Sequence, residues 1–144
     1  MREIKLPTNK EIETFSRRLG SNRPAPIKIF NGGNTQSVKA VPLGHMSPHQ
    51  FREIAKPTYF QSDFDDLSDE ILESNVDYKM SDLEKSVKTH GVLRPVLIDR
   101  KYEGQDPDSR PYIIDGNHRA IAAIRTGVSI PTYVLHKSER WRWS

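Results

Sequence analysis

The chain has no cysteine. That absence removes disulfides, thiolate nucleophiles and cysteine-ligated zinc or iron–sulfur sites together. Long hydrophobic runs are also missing, and the longest fall far short of the ~20 apolar residues that a membrane-spanning helix needs. No charged-then-apolar leader opens the sequence, so we expect a soluble, untargeted, cytoplasmic protein that makes no membrane contact. There is no internal repeat and no low-complexity tract. With 144 residues the chain fits one domain with a modest core rather than two full domains.

Positive charge is absent from one stretch. Residues 57–78 carry Asp63, Asp65, Asp66, Asp69, Glu70, Glu73 and Asp77 with no Lys or Arg, whereas residues 1–30 carry seven Lys or Arg against three Glu. The formal net charge of +3 therefore conceals a bipolar chain. A basic stripe can follow a phosphate backbone and an acidic segment repels one, so a nucleic-acid contact should avoid residues 57–78. Taken alone, each patch also reads as a solvated face that partly satisfies the other.

Local signals outline the elements. Thr8-Asn9-Lys10-Glu11 is a capping box, followed at helical spacing by Ile12, Phe15 and Leu19 and stopped by Gly20, which predicts an amphipathic helix over about 9–19. Ile27–Phe30, the turn 31–34 and Ser37–Val41 predict a hairpin. Ser47-Pro48-His49-Gln50 opens a short helix that must end before Pro57. The acidic stretch 57–78 reads either as a helix built on Leu67, Ile71 and Leu72 or as a mobile insertion. Ser81-Asp82-Leu83-Glu84 is a further capping box, with Gly91 as the stop. Strands are expected at Pro95–Asp99, Tyr112–Ile114 and Pro131–Leu135, the first two paired across the polar loop 101–110. A buried helix holding Ala120–Ile124 and closed by Gly127 lies before the last strand. The expected fold class is α+β, a small mixed sheet with packed helices.

The stretch Asp115-Gly116-Asn117-His118-Arg119 stands where strand becomes helix. Glycine allows an unusual backbone conformation there, and Asn117 as N-cap would leave the amides of a helix start facing outward. Such a start attracts anions, and Arg119 adds a planar fork suited to phosphate oxygens. His118 can donate a further hydrogen bond, and Asp115 can hold magnesium or orient a hydroxyl nucleophile. The same residues fit a second reading equally well: Asn117 caps the helix, Arg119 is solvated and Asp115 braces the turn.

Set in order, "LEKSVKTHGVLRPVLI" and "IIDGNHRAIAAIRTGVSIPTYVL" resemble the ParB/sulfiredoxin superfamily. The shared pattern runs from Ser86 to Gly91, through a strand begun at Pro95, to a Gly-x-x-Arg helix start at Gly116–Arg119, and closes from Gly127 to Pro131. It covers about residues 38–136, leaving 1–37 as an N-terminal helix and hairpin extension, 57–78 as an acidic insertion and 137–144 as a basic, aromatic tail. The resemblance implies a nucleotide, ATP or CTP, with its phosphates at the Gly116–Arg119 helix start. Sulfiredoxins carry Gly-Cys-His-Arg; Asn117 stands at the cysteine position here, which excludes peroxiredoxin repair and keeps His118 and Arg119 as phosphate ligands. Partitioning ParB proteins carry Gly-Glu-Arg-Arg, bind CTP and continue into a DNA-reading helix-turn-helix, so a whole partition clamp is not expected of this chain. Free serine kinases of the superfamily carry Asp-Gly-His-His-Arg, which makes phosphoryl transfer the nearest chemical analogy.

By the same resemblance, Lys79 and Ser86 fall at positions that approach the nucleotide, and Arg94, just before Pro95, is a third candidate. A serine at the place of Ser86 is more often a tolerated helix polar, and Arg94 reads equally as an exposed loop cation. The resemblance implies two functional classes. One is an enzyme, a nucleotide hydrolase, phosphotransferase or DNA-cleaving nuclease, with Asp115 on magnesium or the nucleophile and His118 and Arg119 stabilising charge. The other is a non-catalytic phage- or plasmid-type module that binds DNA or a host protein. His45 and His49 have the spacing of paired metal ligands only on a continuous helix, and Pro48 leaves His45 outside one. The tail Trp141-Arg142-Trp143 could stack on bases or cover an apolar patch, and packing is the reading we favour.

Overall fold

The computed structural model describes residues 25–31, 34–58, 63–100 and 110–136. The expected helix at 9–19, the loop 101–109 and the tail 137–144 lie outside the described residues. Strand β1 (Ala25–Asn31) pairs antiparallel with β2 (Asn34–Met46), Ile27 opposite Val38 and Asn31 opposite Asn34, which is the hairpin expected from the alternating residues. The long strand β2 crosses from the N-terminal extension into the remainder of the chain, so both share one sheet. Its register shifts between Pro42 and Gly44, after pairing with β1 has ended at Ala40. A proline is tolerated there because, among the described residues, β2 has only one neighbour at that point.

Helix α1 (Pro48–Ile54) begins at Ser47, whose hydroxyl accepts from the Gln50 amide at 3.1 Å while the Gln50 side chain accepts from the Ser47 amide at 3.0 Å. His45 therefore sits on β2 and His49 on α1, where it meets Glu53 at 3.1 Å. Next come a 3-10 turn (Phe64–Asp66) and the short helix α2 (Asp69–Glu73), then α3 (Met80–His90) and strand β3 (Val96–Ile98). Strand β4 (Ile113–Asp115) pairs antiparallel with β3, as expected, and helix α4 (Asn117–Thr126) leads to β5 (Ile130–Leu135). The sheet order is β1-β2-β5-β3-β4, with β5 antiparallel to β2 and parallel to β3. The α+β expectation thus holds: a mixed sheet with helices packed on it. Pro131 is accommodated in a central strand because the ladder with β3 begins one residue later, at Thr132 opposite Val96. No helix among the described residues is long and apolar enough to cross a membrane.

Phe51 of α1, Leu72 of α2, Met80, Leu83 and Val87 of α3 and Ala120–Ala123 of α4 share one core with Val96, Ile98 and Ile113 of the sheet. Four consecutive buried residues in α4 explain its small alanines, since a helix enclosed on most sides needs close neighbours. Gly91 and Gly127 end α3 and α4 at φ +76° and +73°, conformations that residues with a Cβ seldom adopt.

One expectation needs correcting. Helix α3 starts at Met80 rather than after Ser81, because the Glu73 carboxylate of α2 accepts from the Met80 amide at 3.2 Å and caps the helix from outside. Among its described residues the acidic stretch forms a 3-10 turn and the short helix α2, which holds Ile71 and Leu72 of the helical reading. It contributes Phe64, Leu67 and Leu72 to the core, and three of its aspartates meet arginines of the body: Asp63 with Arg110, Asp65 with Arg52, Asp69 with Arg125. Asp66 instead accepts from the Asp63 amide at 3.0 Å.

Arg110 does the most in this arrangement. Its Nη1 donates to the Arg52 and Ala55 carbonyls at 2.7 and 3.2 Å, at the end of α1, and its Nη2 donates to Asp63 at 2.9 Å. A cation at a helix C-terminus that also bonds a carboxylate is favourable on both counts. We expect Arg110→Ala to lower the unfolding free energy by about 2 kcal/mol, because two carbonyls and a carboxylate lose their donor. Asp65→Asn, at a pair open to solvent, should leave the urea midpoint nearly unchanged. Equal effects of the two substitutions in urea melts would contradict this ranking.

Candidate functional site

The strand-to-helix junction takes its shape from Gly116. Asp115, the last residue of β4, lies opposite Leu97, and Gly116 then turns the chain into α4 at φ +101°, ψ 26°. A Cβ built on Gly116 would lie 3.0 Å from Arg119 Nη2 and 3.2 Å from Val96 Cγ2. Glycine is thus required twice, for its backbone conformation and for the guanidinium that folds back against it. Asp115 Oδ2 accepts from Arg119 Nη2 at 3.2 Å, and both side chains are about three-quarters shielded. The N-cap position belongs to Gly116, which has no side chain to cap the start of α4.

Asn117 was expected at that cap and is instead the first residue of the helix. Its Oδ1 accepts from the Thr58 amide at 3.0 Å and its Nδ2 donates to Thr58 Oγ1 at 3.2 Å, while the Thr58 hydroxyl donates to the Ile113 carbonyl. The reason is geometric: Gly116 occupies the non-helical position, and the amide side chain finds complementary backbone and hydroxyl groups across the junction. Thr58 was missed by sequence reasoning. Its only sequence signal is the preceding Pro57, which marks a helix end but says nothing about a partner 59 residues away.

His118 is also engaged. Its Nε2 lies 2.6 Å from the Leu72 carbonyl, which can only accept, so this nitrogen carries the proton. The ring stands edge-on to Tyr78 with centroids 5.9 Å apart. Burial holds the imidazole below the ordinary histidine value of 6.5; the hydrogen bond to Leu72 opposes this, and the Arg119 charge adds to it. The folded state therefore prefers neutral His118. Its contribution to stability is complete above pH 6.5 and is lost as pH falls from there toward the depressed folded value, because the unfolded chain takes up the proton first. In melting curves recorded from pH 7.5 downward, His118→Gln should flatten part of the acid loss below pH 6.5; a slope identical to wild type would exclude His118 as its source.

The other three candidates stand apart from these bonds. Arg94 is exposed two residues before Val96, whose methyl group faces Gly116, so the start of β3 brings it to the same end of the sheet as the junction. Lys79 is exposed at the N-cap of α3 and follows Tyr78, the ring neighbour of His118. Neither cation forms an ion pair among the described residues. Ser86 is half-buried on α3 beside Val87, and no hydrogen bond joins it to residues 115–119. Among the described residues no group of three His, Asp or Glu is placed to hold a metal ion. No protein-family model matches the chain, and no curated protein matches it.

Proposed function

We propose that this is a cytoplasmic domain of the ParB/sulfiredoxin type that binds the phosphates of a nucleotide, or of a nucleic-acid strand, at the start of α4. One observation carries the reading: the Arg119 guanidinium lies against Gly116, an N-cap residue with no side chain of its own to satisfy the first amides of the helix. An arginine fork beside uncapped helix amides is suited to phosphate oxygens. Asp115 holds the fork in place at 3.2 Å. Arg119 would turn from Asp115 to the ligand, and the exposed Arg94 and Lys79 would neutralise further phosphate charge. ATP and CTP are the nucleotides that the resemblance suggests.

Binding asks only Arg119 to change partner, and this favours a non-catalytic module, of phage or plasmid type, that engages DNA or a host protein. Catalysis asks more. Asp115 is tied to Arg119 and His118 Nε2 to the Leu72 carbonyl, so both must be released before either acts on phosphate. The enzyme reading, hydrolysis or transfer of a nucleotide phosphate or cleavage of DNA, keeps one specific support: a phosphate that draws Arg119 away frees the Asp115 carboxylate. Asp115 could then join the ligand's own oxygens around magnesium, an ion commonly held by one or two carboxylates plus substrate phosphates. The test is a melting-temperature screen of the common nucleoside di- and triphosphates with magnesium. A ligand that binds only the native state raises the transition, and no shift at millimolar concentration for any of them would sink the nucleotide reading.

A further inference from the structure

Strand β2 runs on past its neighbour β5. Residues 40–46 of β2 lie beside β5, and the last bond to that side goes from the His136 amide to the Lys39 carbonyl at 2.9 Å. Residues 34–38, five residues measuring about 17 Å, have β1 as their one strand neighbour among the described residues. This part of β2 and β1 thus form a two-stranded ribbon. The registers give its direction. Leu135 and Ile98 stand at the ribbon's end of β5 and β3, whereas Ile130, Val96 and Asp115 stand at the other end of the sheet. The ribbon therefore leaves the sheet opposite the Gly116 junction.

Side chains of β2 alternate between a dry face and a wet one here. Val38 and Ala40 are buried with Leu97, Tyr133 and Leu135, while Ser37 and Lys39 are exposed. Lys28 of β1 is directly opposite Ser37, which sets Lys28 and Lys39 at diagonal register positions, about 7–8 Å apart at the backbone. Nothing acidic lies near them along the chain: no Asp or Glu stands between Glu13 and Glu53. Protection of a bare sheet edge does not account for both cations, because Lys39 belongs to the inner strand of the ribbon. Toward its turn the ribbon carries Asn31, Asn34, Thr35, Gln36 and Ser37, amide and hydroxyl residues of the kind that bond base edges and phosphate oxygens.

We infer that the β1–β2 ribbon is a docking surface for double-stranded DNA and enters its major groove. That groove is about 12 Å wide and admits a two-stranded ribbon, whereas the major groove of an RNA duplex is too narrow for side chains to read. Two cations without a carboxylate complement the phosphates along the groove. This inference rests on the hairpin and not on the phosphate site at α4, so each can fail alone.

The experiment is fluorescence anisotropy of a labelled DNA duplex titrated with the intact chain at salt concentrations from about 50 to 200 mM. We expect the association constant to fall steeply with salt. Lys28→Gln and Lys39→Gln should each weaken binding severalfold and reduce the slope of its logarithm against that of salt by about 1. Lys39→Arg keeps the charge and should keep the slope, and so should Lys88→Gln, at an exposed lysine of α3. An RNA duplex of the same sequence should bind more weakly. Salt-insensitive or absent binding by the wild type, wild-type slopes in both glutamine variants of the ribbon, or equal affinity for the RNA duplex would each overturn the proposal. A slope that falls in Arg119→Ala but in neither ribbon variant would place the duplex at α4 and overturn it as well. Failure of the nucleotide-induced melting shift in the wild type would count against the α4 site alone.

Discussion

Arg119→Ala should abolish the nucleotide-dependent rise in melting temperature while leaving a folded protein. A ligand at a hundred times its dissociation constant stabilises the native state by about 2.7 kcal/mol, which for a domain of this size raises the transition by roughly 5–10 °C. The Arg119 guanidinium is folded onto Gly116, so removing it takes the fork away from the helix start. It also leaves Asp115 without its partner. The pair is partly shielded, so the unliganded melt should fall by about 1 kcal/mol of stability, and the decisive quantity is the difference between melts with and without nucleotide. Arg119→Lys keeps the charge and loses the planar fork, and we expect it to retain only part of the shift. A full shift in Arg119→Ala would place the phosphates elsewhere and sink the assignment.

What the sequence revealed and what it concealed divide by distance along the chain. The helix start at Ser47–Gln50, the β1–β2 hairpin, the β3–β4 pair and the glycine stops at 91 and 127 were legible because each is decided within a few residues. The central place of β5 was not, since it depends on one strand pairing with β2 on one side and β3 on the other. The partners of the acidic stretch were hidden for the same reason. Asp63 and Asp69 find their arginines 47 and 56 residues away, and charge counted within the stretch cannot anticipate them. At α3 a remote carboxylate, Glu73, took precedence over a plausible local box at Ser81.

The junction at Asp115–Arg119 shows the same division. Its strand, glycine turn and helix were readable, but the partners of its side chains were not. Asn117 turned to Thr58 and His118 to the Leu72 carbonyl, 59 and 46 residues distant. The two readings that the residues left level, a phosphate site and a braced turn, now share one geometry: Asp115 braces Arg119, and the braced guanidinium is the group suited to phosphate.

Asp115→Asn separates the enzyme from the binding module, and the argument rests on charge. The amide has nearly the shape of the carboxylate and its oxygen can still accept from Arg119, so the turn should persist. In an enzyme the carboxylate would attract magnesium or orient a hydroxyl. Its neutral replacement should then leave nucleotide bound and slow phosphate release or DNA cleavage by about 10²–10⁴-fold. In a binding module the carboxylate competes with phosphate for Arg119 and repels it directly. Neutralising it should tighten nucleotide binding by roughly 1 kcal/mol, which is several-fold in the dissociation constant. Affinity by calorimetry and turnover on nucleotides and DNA, measured on one preparation each of wild type and variant, distinguish these outcomes. Wild-type turnover that survives unchanged in Asp115→Asn would refute any catalytic duty for this carboxylate. A variant that binds no better than a wild type lacking turnover would refute the view that Asp115 opposes the phosphate, and would leave it as the residue that holds Arg119 in position.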